Sequence, residues 1–303
     1  MTGVVLMVML FPELSYANSS QPRIKRWFIR SVEGFSGRDR YARLYGIWRD
    51  EIVPTCDRVF GRMLDLINVR VQHDSVWPPA DLPAGPLVII ANHPFGIADG
   101  IAVLSLAEQL GRPFRVLINA ELMKIPEMAP YSLPVDFTET KEALKNNIAV
   151  RHEALRLLRE GTTIVVFPGG GVATAPKGLG RAVDLPWKIF PARLVQDARA
   201  SVIPMHFSGQ NGRLFHIVSG PMGLLEHEGK VARFVGQLSL TLRTSLLIRE
   251  FARMSGKSIR VRIGDVIRWQ EIEHLSDRKA LLAFLYGKVF GLARPKRREP
   301  LAA

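Results

Sequence analysis

Two short apolar runs, each broken off by proline and glycine, restrict what this chain can fold into more than any other feature. Leu87 to Ala91 reads Leu-Val-Ile-Ile-Ala and stops at Asn92-His93-Pro94-Phe95-Gly96; Thr163 to Phe167 reads Thr-Ile-Val-Val-Phe and stops at Pro168-Gly169-Gly170-Gly171. Both runs are too brief for a membrane span and rich in β-branched residues, so each predicts a strand buried on both faces. Open α/β sheets place ligands at the carboxyl ends of their strands. His93 is expected at such an end.

A neutral imidazole there can take a proton from a hydroxyl near pH 7. A carboxylate on its other nitrogen would fix the tautomer, and Asp99 is the candidate. The plainer reading is that His93 caps a strand-to-helix turn and Asp99 is the N-cap of a helix beginning near Gly100. Three successive glycines let a backbone approach a ligand and aim N–H groups at it, which suits an oxyanion or a phosphate. A purely structural glycine turn is the alternative. The stretch lacks the Gly-Lys-Ser/Thr ending of a Walker loop, and Gly178-Leu179-Gly180 lacks the third glycine of a dinucleotide fingerprint.

The remainder alternates strand and helix. Strands are expected at Val69 to Gln72, Arg115 to Ile118, Leu133 to Phe137, Ser201 to His206 and Ile259 to Ile263. Helices are expected at Ile101 to Leu110, Glu139 to Arg159, Leu238 to Arg253 and Asp277 to Phe290. Pro204 argues for an edge strand or a strand end, and Phe215 to Val218 reads as a further piece of sheet. This rhythm predicts an α/β fold, a mainly parallel mixed sheet flanked by helices. The expected divisions are a helical, basic and aromatic segment over residues 1–68, the α/β domain over 69–290, and a basic tail over 291–303.

Lysine and arginine number 41 against 28 acidic residues, a formal charge of +13. Such an excess attracts polyanions: nucleic acid, anionic lipid or acidic substrates. No zinc spacing, RNP sequence or helix-turn-helix signature points to nucleic acid. Between Gln21 and Asp50, arginines interleave with Trp27, Phe28, Phe35, Tyr41, Tyr45 and Trp48, a pattern that suits a bilayer interface; a solvated helix pair docked on the core is the alternative. The apolar stub Val4 to Phe11 lacks a basic n-region and falls short of the ~20 residues of a spanning helix. The single cysteine, Cys56, excludes an internal disulfide framework and reads as a small core residue. No metal site is expected.

In order and spacing, Asn92-His93 with Asp99, Phe167-Pro168-Gly169-Gly170-Gly171, Val202-Ile203-Pro204 and Val261-Arg262-Ile263-Gly264 resemble the motif blocks of the glycerolipid acyltransferases of the lysophospholipid (1-acylglycerol-3-phosphate) type. The resemblance runs from about Leu87 to Ile267. It implies that His93 is the general base for an acceptor hydroxyl, that Asp99 orients it, and that the oxygen attacks the thioester of acyl-CoA or acyl-carrier protein (acyl-ACP), with no bound cofactor. Asn92, Gly96, Pro168, Gly169, Gly170 and Gly171 are then expected to line the substrates. Lys177 and Arg181 are expected to hold pantetheine phosphates or the acceptor headgroup, with solvated surface cations as the alternative, and Glu121 falls near the second block.

The chain departs from this pattern in two ways. Five residues, not the usual four, separate His93 from Asp99, and a bulge at Gly96 would absorb the extra one. The glycine block replaces the common Phe-Pro-Glu-Gly-Thr-Arg, so the stretch has no arginine and Lys177 and Arg181 are the nearest cations. That weakens lysophosphatidic acid as acceptor and raises a lyso-aminolipid of the lyso-ornithine type. The partners implied are a lysolipid, a thioester donor and an anionic membrane surface, with the chain peripheral at the cytoplasmic face of the inner membrane. A thioester hydrolase shares the same base and oxyanion donors. A serine hydrolase would need a Gly-x-Ser-x-Gly elbow, which is missing. A non-catalytic basic protein binding membranes or polyanions would have no use for His93.

Overall fold

The computed structural model describes residues 11, 14, 15, 23, 26, 34, 38–136, 140–219, 243 and 246–293. The strands are Arg70–Gln72 (β1), Leu87–Ala91 (β2), Phe114–Asn119 (β3), Ser132–Val135 (β4), Thr163–Val166 (β5), Ser201–Ser208 (β6) and Ser258–Ile263 (β7). The helices are Arg38–Ile47 (α1), Val59–Leu66 (α2), Ile97–Glu108 (α3), Lys141–Arg159 (α4), Phe190–Ala198 (α5), Arg213–Ser219 (α6), Trp269–Ile272 (α7) and Arg278–Gly291 (α8), with a further helical stretch over 246–252.

One seven-stranded sheet runs β1-β7-β6-β2-β5-β3-β4. Neighbours are parallel except β6 and β7, which are antiparallel. The unbroken hydrophobicity of β2 matches its position between β6 and β5, where all five residues are fully buried. Alternate side chains feed two cores. Leu87, Ile89 and Ala91 meet α2, α3 and the turn at Trp48 on one face, while Val88 and Ile90 meet α4, α5 and α8 on the other. Full burial of each such aliphatic side chain is worth about 1.5–3 kcal/mol. Glu108, at the end of α3, accepts N–H bonds from Phe60 at 2.7 Å and Gly61 at 2.9 Å and so satisfies the first turn of α2.

Several local expectations change. Phe215 to Val218 lies in α6: Phe215, His216 and Ser219 are buried while Leu214 and Ile217 are exposed, a helical period that so short an apolar run could not declare. Pro204 sits inside the sheet. Its carbonyl accepts from Gly264 at 2.9 Å, so the side on which its N–H is missing faces β7 just where that ladder ends, and the pairing with β2 is intact. Tyr45 and Trp48 pack into the core, with Trp48 donating to the carbonyl of Val59 at 2.8 Å, and do not face outward to a bilayer. Cys56 is half-buried in the connection to α2 and lies in no helix. Most of residues 1–37, 220–245 and 294–303, with the side chain of Glu121, lie outside the described residues. Among the described residues no helix is long and apolar enough to cross a membrane.

Candidate active site

β2 and β5 are adjacent and parallel, with Ile90 opposite Val166. Their carboxyl ends therefore bring Asn92-His93 beside Phe167 to Gly171. The His93 ring stacks on Phe167 with centroids 4.1 Å apart and 29° between planes, which holds the imidazole upright at the strand end.

Asp99 lies in the first turn of α3, which begins at Ile97 and not near Ile101. Gly96 turns the chain into this helix at φ +84°, and a Cβ there would meet Val172 at 3.0 Å and Leu247 at 3.1 Å. The five-residue spacing is accommodated in this way. One carboxylate oxygen of Asp99 accepts from the Phe95 N–H at 2.8 Å, and the other stands 3.1 Å from Nδ1 of His93. The second contact is off the axis of a well-formed hydrogen bond, and neither atom has another partner. Unliganded catalytic pairs are often misaligned and tighten with substrate, so the short distance is the informative quantity. With Asp99 fully buried and the His93 side chain 17% exposed, the carboxylate faces Nδ1 while the ring keeps an open edge.

The glycine loop is tied to the same turn. Ala173 donates to the carbonyl of His93 at 2.8 Å, and Lys188 donates to that of Pro168 at 2.9 Å. Gly170 takes φ +68°. A Cβ on Gly169 would lie 3.1 Å from the backbone oxygen of Leu185, and one on Gly171 would lie 2.8 Å from its side chain. Bare backbone is thus required where Leu185 crosses the loop. Gly170 donates to Phe167, whereas the N–H groups of Gly169, Gly171 and Val172 have no protein acceptor among the described residues. Such groups suit an oxyanion.

The other expected site residues fall in two groups. Asn92 is buried; its amide accepts from the N–H of Phe207 at 2.7 Å and donates to the carbonyl of Phe207 at 2.9 Å, which extends the β2–β6 ladder and makes it a positioning residue. Lys177 and Arg181 are exposed on a loop closed by reciprocal 3.0 Å bonds between Thr174 and Val183, and neither reaches the dyad through a contact in the structure. Two residues were not singled out from sequence. Asp184 accepts from the backbone N–H of His93 at 3.2 Å and from the Trp187 indole at 3.2 Å; burial pushes its carboxyl up, against the lowering effect of those two donors. Arg243 donates from Nη2 to the carbonyl of Val172 at 2.6 Å, so the loop without an arginine of its own receives one from far along the chain.

His206, on β6, is pushed down to about 4 by burial first, then by the charges of Arg262 and Arg181, and is neutral at pH 7. Among the described residues no three His, Cys, Asp or Glu side chains gather as a metal site. A depression lined by His152, Leu155, Arg156, Arg159 and Glu160 lies on the last turns of α4, which lead into the amino end of β5, across the sheet from the dyad.

The structure thus brings a His–Asp pair and a glycine loop together at the carboxyl ends of neighbouring parallel strands. The acyltransferase family model matches residues 71–294, and the chain belongs to that family. It is 24% identical over 195 residues to a lyso-glycine lipid O-acyltransferase of Phocaeicola vulgatus, covering 62% of each chain. It is 26% identical over 218 residues to one of Bacteroides thetaiotaomicron, covering 69% of this chain and 70% of that one. The first alignment thus spans less than two thirds of that relative. The crystal structure of a 1-acyl-sn-glycerophosphate (LPA) acyltransferase, PlsC, from Thermotoga maritima superimposes with a TM-score of 0.46 at 16% identity, over 90% of this chain and 96% of that one.

Proposed function

We propose that the protein is an O-acyltransferase that moves a fatty acyl group from a thioester donor, acyl-ACP or acyl-CoA, to the hydroxyl of a lysolipid. The observation that carries this reading is the 3.1 Å approach of Asp99 to Nδ1 of His93, beside a loop with unused N–H groups. With Nδ1–H directed to Asp99, Nε2 holds the lone pair and accepts the hydroxyl proton as the oxygen attacks the thioester carbon. The tetrahedral oxyanion takes N–H bonds from Gly169, Gly171 or Val172. Collapse breaks the carbon–sulfur bond, and the imidazolium returns its proton to the departing thiolate. The backbone of Ala173 and the carboxylate of Asp184 hold the His93 main chain in place while this happens.

The acceptor in this reading is a lyso-aminolipid with an amino-acid headgroup. The names of the two relatives support it. The excess of positive charge supports work at an anionic membrane surface, with the chain peripheral at the cytoplasmic face. The test presents a panel of lysolipids, including N-(3-hydroxyacyl)glycine, lyso-ornithine lipid and lysophosphatidic acid, with labelled acyl-CoA and acyl-ACP, and reads product mass. Acylation of an aminolipid is expected, and His93→Ala should lower it by about 10²–10⁴-fold. Acyl release that no lysolipid accelerates would identify a hydrolase and overturn the proposal.

A further inference from the structure

Arg243 is 71 residues distant from Val172 in sequence, yet its Nη2 donates to the Val172 carbonyl at 2.6 Å. Its guanidinium carbon lies 5.6 Å from the centre of the Phe215 ring. Of its donors, one is used by the Val172 carbonyl. A guanidinium offers five N–H donors, and among the described residues no carboxylate pairs with this one. Burial alone acts on its acidity and pulls its pKa down. A desolvated cation without a counter-charge is costly to keep, and Glu250, the carboxylate near α6, accepts from the N–H of Gly212 at 2.7 Å and pairs with Arg253 at 3.6 Å, not with Arg243.

The cation belongs to the same turn as the dyad. Val172 precedes Ala173, which donates to His93, and packs where Gly96 admits no Cβ. The flank of the loop beside it is buried and polar. His216, 1% exposed, accepts from the N–H of Ala175 at 3.3 Å through Nδ1, which leaves the proton on Nε2, and, against the effect of burial, the Asn211 backbone and the Glu250 carboxylate both favour a proton on this ring. The hydroxyl of Ser219, buried and one turn further along α6, has no hydrogen-bond partner.

We propose that Arg243 is the anion-binding residue of this site and takes a carboxylate or phosphate carried by one of the two substrates, at the Val172 side of the glycine loop. The inference rests on the transfer reading above. The oxyanion has two sources: the headgroup carboxylate of an amino-acid lysolipid, or the phosphate of the donor's pantetheine arm.

Two substrate pairs distinguish these sources. The acceptors are N-(3-hydroxypalmitoyl)glycine and its methyl ester; the donors are palmitoyl-4′-phosphopantetheine and palmitoyl-pantetheine. Wild type should prefer the charged member of one pair by about 10- to 100-fold in kcat/KM, the range of a charge-assisted hydrogen bond. Arg243→Met should bring that preference within about twofold, and Arg243→Lys should keep part of it. Each ratio is internal to one protein, so a smaller folded fraction leaves it unchanged; Arg243→Gln serves if the methionine variant does not fold. Collapse of the acceptor ratio assigns the headgroup, and collapse of the donor ratio assigns the pantetheine phosphate. No preference in wild type, or preferences that survive Arg243→Met, overturn the inference. If wild type transfers no acyl group at all, the transfer reading fails, and calorimetric binding of the acid against the ester then decides the anion site on its own.

Discussion

Asp99→Asn separates two tasks that a single carboxylate performs. One oxygen accepts the buried Phe95 N–H at 2.8 Å, and the other faces Nδ1 of His93 at 3.1 Å. An amide has one oxygen, so one of these donors must lose its acceptor. Orphaning the Phe95 N–H costs about 1–3 kcal/mol, so the amide oxygen settles there and the NH₂ turns to His93. Nδ1 must then accept, and the ring proton moves to Nε2, the atom that has to be empty for the hydroxyl. Stability should stay within about 1 kcal/mol of wild type while turnover falls about 10²–10⁴-fold. Asp99→Ala should lose turnover too, and in addition about 2–4 kcal/mol, because it leaves both a void and an unpaired N–H. Urea unfolding and initial rates of acyl transfer, normalised to folded protein, read the two effects separately. Turnover of Asp99→Asn within about threefold of wild type would refute the argument.

Two further substitutions address the support of the site. Asn92→Leu removes both bonds to Phe207 and leaves two buried backbone groups unpaired, so it should cost about 2–4 kcal/mol in urea with KM for either substrate unchanged; a raised KM at normal stability would make Asn92 a substrate contact. His206 is neutral in the fold down to about 4 but gains its proton near 6.5 when unfolded. The unfolded chain therefore binds more protons in that window, and stability is lost as pH falls through it. The ceiling is about 3 kcal/mol, lowered by partial solvent screening. His206→Leu should flatten that part of a plot of unfolding free energy against pH, and an unchanged slope would place the effect elsewhere.

The elements legible in the sequence are those whose signal is local. β2 and β5 announce themselves by unbroken apolar runs that end in proline and glycine, and the helix N-capped by Asp277 by its capping residue, whose side chain accepts from Ala280 at 3.0 Å. The proximity of His93, Asp99 and the glycine loop follows from strand ends alone, because neighbouring parallel strands share a register. What stayed hidden depends on distance along the chain. Nothing near Arg243 says that it reaches Val172, and nothing near Asp184 says that it meets the backbone of His93. α6 escapes a sequence reading because three apolar residues and a histidine fit either period, and Pro204 does so because the end of the β7 ladder, which makes it harmless, lies sixty residues further on. The inward turn of Tyr45 and Trp48 is likewise a tertiary choice between two apolar surroundings.

The excursion from Phe167 to Lys188 closes on itself at its root. Lys188 returns to Pro168, Asp184 to His93, and Thr174 pairs with Val183, while Lys177, Leu179 and Arg181 ride at the far tip in solvent. Such a purse-string lets the rim be rewritten without disturbing the chemistry at its neck. Substitutions at these tip residues can therefore accumulate while the backbone that holds His93 and the glycine loop stays as it is.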